Sequence, residues 1–86
     1  MFIFSRHAVD KLKIKDTKVF KIRKKIIQHV VKTGLIVETE DEVVMVVGPL
    51  DSHRSLCVVY KQEGGKIKII TFFVARKGRY ERKVLQ

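Results

Sequence analysis

The stretch LCVVYKQEGGKIKIITFFVA, residues 56–75, decides the fold. Two runs rich in β-branched and aromatic residues flank Gly64-Gly65, and a glycine pair between such runs marks a tight hairpin turn. The spacing predicts residues 56–63 paired antiparallel with 66–75. In the second run Ile67, Ile69, Thr71 and Phe73 alternate with Lys68, Ile70, Phe72 and Val74, so both faces are largely apolar. A strand of that kind belongs inside a sheet.

Working outward, two more short β-branched runs precede the hairpin, LIVET at 35–39 and VVMVV at 43–47, separated by the acidic turn EDE. Gly48-Pro49 opens a loop, GPLDSHR, that interrupts the sheet. Further upstream the period lengthens. Ser5 is a good N-cap for a first helix reaching about Leu12 or Ile14, with Ala8, Val9 and Leu12 on its inner face. Asp16 and Thr17 can cap a second, in which Val19, Phe20, Ile22, Ile26, Ile27, Val30 and Val31 recur at helical spacing until Gly34. Its outer face carries Lys18, Lys21, Arg23, Lys24, Lys25 and Lys32. Residues 2–4 read as a short strand or an apolar cap, and the tail RKGRYERKVLQ as a final edge strand guarded by its cations. The expectation is a single α+β domain over residues 1–86, with two N-terminal helices on a four- or five-stranded antiparallel sheet.

The chain's 86 residues carry 19 Lys plus Arg against 9 Asp plus Glu, a formal charge of +10. That excess favours a polyanionic partner, RNA, DNA or an acidic protein surface, through counterion release and long-range attraction. One cysteine, Cys57, excludes an intramolecular disulfide and a multi-cysteine metal site, and suits a reducing, cytoplasmic setting. No run approaches the ~18 apolar residues of a membrane span, so no membrane association is expected.

Three clusters could carry chemistry. His7 and Lys11 are one helical turn apart, with Lys15 a turn further on. In that arrangement His7 is either a solvated helix-start residue or an acid/base group beside phosphate contacts. DSHRSL sets His53 and Arg54 in a loop before a strand, where imidazole can move a proton while guanidinium braces developing charge. VARKGRYERK groups Arg76, Lys77, Arg79, Arg82 and Lys83 around Tyr80, which either stacks on an unpaired base or turns to the core. Asp41, Glu42 and Asp51 lack the spacing of a metal-ligand or paired-carboxylate set, and no glycine-rich phosphate loop or serine nucleophile motif occurs. The sequence therefore presents neither a metal site nor a cofactor site.

The pattern S-x-H-A-x-x-[RK]-L, here Ser5, His7, Ala8, Lys11 and Leu12, followed by Lys15, resembles the opening of a family of small toxin-like proteins. IKIITFF, residues 67–73, stands where that family has its late strand. The layout is also similar to the RelE/ParE-like toxins, grouped with barnase-like, EndoU and colicin-type ribonucleases. The resemblance implies metal-independent RNA cleavage on a concave sheet face, with an acidic antitoxin as partner. By the same resemblance His7 is the leading acid/base group, and cleavage of this kind then calls for a second catalytic group, His53 or Tyr80. Lys11, Lys15 and Arg54 become phosphate contacts, and Thr71 lies near the floor of the site. The family usually has arginine where Lys11 and Lys15 stand, and lysine lacks the planar fork. Two other readings remain open: a nucleic-acid-binding module without catalysis, and an interaction domain whose basic helix face docks an acidic protein.

Overall fold

A computed structural model describes residues 1–80, with Lys15 and Asp16 described by backbone alone. Among the described residues the chain is α+β, with five strands and three helices. In order these are β1 (Phe2–Phe4), α1 (Arg6–Leu12), α2 (Lys15–Val19), α3 (Lys24–Thr33), β2 (Leu35–Glu40), β3 (Val43–Pro49), β4 (Arg54–Glu63) and β5 (Lys66–Arg76). The sheet runs β1-β5-β4-β3-β2, and the molecule measures 32 × 31 × 17 Å, two layers thick.

The hairpin stands where the glycine pair puts it. Glu63 opposes Lys66 across a two-residue turn, and Gly64 takes a φ of 60°, which only glycine adopts without strain. β5 is an interior strand between β4 and β1. Asp41 and Glu42 form the other tight turn with φ of 49° and 69°, the positive pair that a two-residue hairpin of the I′ kind requires.

The sheet is mixed rather than wholly antiparallel. β1 runs parallel to β5, with Phe2 opposite Ile67 and Phe4 opposite Ile69. The backbone bonds Ile67 N–H to Met1 O at 2.8 Å and Ser5 N–H to Ile69 O at 2.9 Å extend this pairing. Phe2 and Phe4 face the helices, where Lys32 and Lys24 cover their rings. The fifth strand is thus N-terminal. The one expected at the C-terminus falls mostly on residues 81–86, outside the described residues, and 77–80 form a turn.

The expected second helix is two helices. α2 closes with Lys21 N–H bonded to Lys18 O at 3.0 Å and Ile22 N–H to Thr17 O at 3.1 Å. Those two bonds make a Schellman cap with Lys21 at the left-handed position, φ 57°. The reversal tucks Ile22 into the core and leaves Val19 65% exposed on the outside. α3 then buries Ile27 and Val30 against β3 and β4.

The core between helices and sheet is built from Ala8, Ile22, Ile27, Val30, Val46, Leu56, Val58, Tyr60, Ile69 and Phe72. A smaller cluster on the other face joins Val47, Cys57 and Ala75 with half-buried Val37, Met45, Phe73 and Tyr80. Among the described residues no helix is long and apolar enough to cross a membrane. Gly34, between α3 and β2, has ordinary backbone angles but no room. A Cβ there would stand 2.6 Å from Val30 O and 2.7 Å from Val47 O, both backbone atoms.

Two stability changes of opposite sign are expected in chemical denaturation. Gly34→Ala destabilises by about 1–3 kcal/mol through overpacking, while Lys21→Gly relieves a left-handed lysine and stabilises by about 1 kcal/mol. An unchanged midpoint in either variant contradicts the corresponding contact.

Candidate functional site

The end of the sheet opposite the two tight turns holds a concentration of positive charge. There β4 begins and β5 ends, and the register sets Arg54 directly opposite Arg76. Like charges facing each other across a ladder repel, so this pair costs stability unless an anion lies between or beside them.

One anion is built in. The loop before β4 folds around Asp51, whose Oδ1 accepts from the backbone N–H groups of His53 at 2.8 Å and Arg54 at 2.7 Å. Its Oδ2 stands 3.5 Å from Arg54 Nη1. These contacts hold the carboxyl below its usual range. The His53 N–H bond is the largest cause, desolvation opposes it, and Arg54 adds its own backbone bond, charge and side-chain bond. A carboxylate depressed on folding stabilises the loop fully above its ordinary value of 3.8. That contribution is lost as pH falls through the lower folded value. A second tie, from Lys77 N–H to His53 O at 2.9 Å, fixes the loop to the residues after β5.

The result is an open cleft of about 820 Å³ lined by His53, Arg54, Arg76, Lys77, Arg79 and the ring of Phe20. Arg54 is held in place from two sides, by Asp51 and by Phe20, whose ring centroid lies 5.1 Å from the guanidinium carbon. Among the described residues Arg76 and Lys77 have no acidic partner. The cleft therefore offers two unneutralised cations, a positioned guanidinium and an imidazole around one space. Such a set suits a phosphate or another compact anion. Among the described residues no cluster of side chains could hold a metal ion.

The residues singled out in the sequence divide accordingly. The loop pair His53 and Arg54 and the C-terminal cluster Arg76, Lys77 and Arg79 come together. Arg82 and Lys83 lie outside the described residues, as does the side chain of Lys15. His7 is exposed in the first turn of α1 and does not line the cleft. α1 runs beside β5 with Ser5 at Ile69 and Ile70 and Lys11 over Phe72, so His7 sits toward the Ser5 end of the helix while Lys11 reaches the hollow beside the cleft. Thr71 does not meet His7 either. Phe72 faces the helices, and strand alternation puts Thr71 on the opposite face, opposite Val59.

Tyr80 turns to that opposite face and packs edge-on against Phe73, with centroids 5.8 Å apart and the rings inclined at 68°. The guanidinium of Arg79 covers its ring at 5.5 Å. Two contributors were not singled out in the sequence. Phe20 reads there as one more apolar position on a helix, and Asp51 as an acid without ligand spacing. An aspartate two and three residues ahead of His53 and Arg54 is the pattern of a side chain capping its own loop, and could have marked it.

No family model, curated protein or solved structure matches the chain.

Replacing Asp51 with alanine removes both bonds that its Oδ1 accepts from the loop. Amide hydrogen exchange at His53 and Arg54 is expected to accelerate about tenfold, with Leu56 and Val58 unaffected. Equal protection in Asp51→Ala and the parent protein would show that the loop is held by other contacts.

Proposed function

We propose that this protein is a RelE-type, metal-independent endoribonuclease whose scissile phosphodiester lies in the cleft between the β3–β4 loop and the end of β5. The observation that carries the reading is the register-enforced opposition of Arg54 and Arg76, with His53, Lys77 and Arg79 around the same space. Arginines forced together at an open cleft are relieved by an anion between them, and the +10 charge draws a polyanion toward it. The element order gives further support, since helices precede an antiparallel run of four strands, β2 to β5, as in the RelE-like layout.

In this mechanism His53 takes the proton of the ribose 2′-hydroxyl, and the 2′-oxygen attacks the adjacent phosphorus. Arg54 and Arg76 stabilise the extra negative charge that collects on the phosphoryl oxygens. The bond to the 5′-oxygen breaks, and that oxygen takes a proton from Lys77 or from water in the open cleft. The products carry a 2′,3′-cyclic phosphate and a 5′-hydroxyl, with no oxidant, metal or cofactor consumed. An acidic protein covering the same cations would act as an antitoxin, and the setting for such an enzyme is the cytoplasm.

The test is incubation of the purified protein with end-labelled RNA in EDTA. Products ending in 2′,3′-cyclic phosphate are expected, with the rate lowered roughly 10²–10⁴-fold by His53→Ala and about 10²-fold by Arg76→Ala. His7→Ala should cleave at a rate close to the parent. Intact RNA that is merely retarded, with retardation lost at high salt, would sink the catalytic reading in favour of a binding module. Loss of cleavage in His7→Ala with full cleavage in His53→Ala would move the reaction to α1.

A further inference from the structure

β1 covers only Ile67, Lys68 and Ile69 of β5, so beyond Ile69 that side of β5 has no neighbouring strand among the described residues. A second, smaller hollow of about 210 Å³ lies there. Its walls are Phe20, Ile22, Phe72, Phe73 and Val74, and its polar residues are Lys11 and Thr17. Phe20 and Val74 line both this hollow and the basic cleft, so the two are adjoining compartments of one surface. Phe20 is the partition, with the Arg54 guanidinium against its ring.

The chemistry of the two compartments differs. The cleft is cationic and wide. The hollow is mostly apolar and carries one ammonium, Lys11 Nζ, 5.4 Å from the Phe72 centroid. The Thr17 hydroxyl donates its proton to Lys11 O at 2.8 Å, which leaves its oxygen lone pairs as an acceptor. A flat aromatic ligand edged with hydrogen-bonding groups fits such a hollow, and it must be attached to the anion next door.

We propose that the hollow is a nucleobase subsite, and that the substrate of the adjoining cleft is therefore single-stranded RNA with one base turned out beside the bound phosphate. This rests on the reading of the cleft as a phosphodiester site. A base inside a duplex is stacked on both faces and cannot enter, whereas an unpaired base stacks on an aromatic ring at little cost. Lys11 donates to an oxygen or ring nitrogen of that base, and the Thr17 oxygen accepts from its N–H.

The test is fluorescence anisotropy in EDTA with three labelled probes: a single-stranded RNA of about 12 nucleotides, the same length as a duplex, and an abasic strand with identical phosphates. A non-cleavable 2′-O-methyl backbone keeps all three intact. The single strand is expected to bind at least about tenfold more tightly than the abasic strand and the duplex. Phe20→Ala should erase that ratio, with the abasic strand measured beside it to read any change in phosphate binding through Arg54. Where Phe20→Ala does not fold, Lys11→Met carries the same comparison through the lost donor, and its ratio should also fall. Equal affinity for the single and abasic strands would overturn the base subsite while the phosphate reading stands. Binding of none of the probes at low salt would overturn both.

Discussion

One extra residue in β5 sets the geometry on which the core and the cleft both depend. From the Gly64-Gly65 turn the ladder runs Glu63 to Lys66, Gln62 to Ile67, Lys61 to Lys68 and Tyr60 to Ile69, then resumes at Val59 to Thr71. Ile70 is the bulge. Without it Arg54 would stand opposite Ala75, and every residue after Ile69 would face the other way, because strand side chains alternate with a period of two. With it Phe72 and Val74 join Ile69 on the helix face, Ala75 reaches Cys57 and Val47 on the other, and Arg76 arrives opposite Arg54. Burying Phe72 is worth about 2–3 kcal/mol. That apolar gain exceeds the cost of opposing two exposed arginines, so the core imposes the charged pair on the cleft.

This also explains what could be read from the sequence. The turn, the two long strands and the interior position of β5 follow from the glycine pair and from runs apolar on both faces. The same two-sided apolarity conceals the bulge, since residues 67, 69, 71 and 73 and residues 68, 70, 72 and 74 are equally good core candidates. His53 with Arg54 and Arg76 with Lys77 and Arg79 stand out as separate clusters, but the register that joins them is one residue away from the one a plain hairpin gives. β1 is too short to show a period, and nothing within three residues announces a parallel partner more than sixty positions away. The break between α2 and α3 is concealed for a different reason. Helix ends are recognised by glycine or asparagine at the left-handed position, and here a lysine occupies it.

His7 shows the limit of a motif without geometry. Ser5 caps α1 through its hydroxyl, which accepts from Ala8 N–H at 3.1 Å and donates to Ile70 O at 2.8 Å, so it ties the helix start to the bulge itself. Ala8 is fully buried beneath the helix. Ser5 and Ala8 thus have structural reasons to sit beside His7, and those reasons hold whatever the imidazole does. Lys11 departs from the group, because its long stem carries the ammonium past the helix toward Phe72 and the shared wall of the two compartments.

The distribution of charge gives the cleft a direction as well as a location. Glu40, Asp41, Glu42 and Glu63 lie at the end of the sheet that holds the two tight turns, and Lys61 answers Glu42 and Glu63 there at 3.9 and 3.5 Å. These pairs are exposed and add little to stability. Lys66 and Lys68 stand at the same end, so the charges there largely offset one another, whereas among the described residues Arg76 and Lys77 at the other end have no acidic partner. The 32 Å extent of the molecule is several times the Debye length of about 8 Å at physiological salt, so the two ends act as separate fields. An unbalanced positive field therefore stands over the cleft, and the flat, two-layer shape leaves the cleft open beside the smaller hollow.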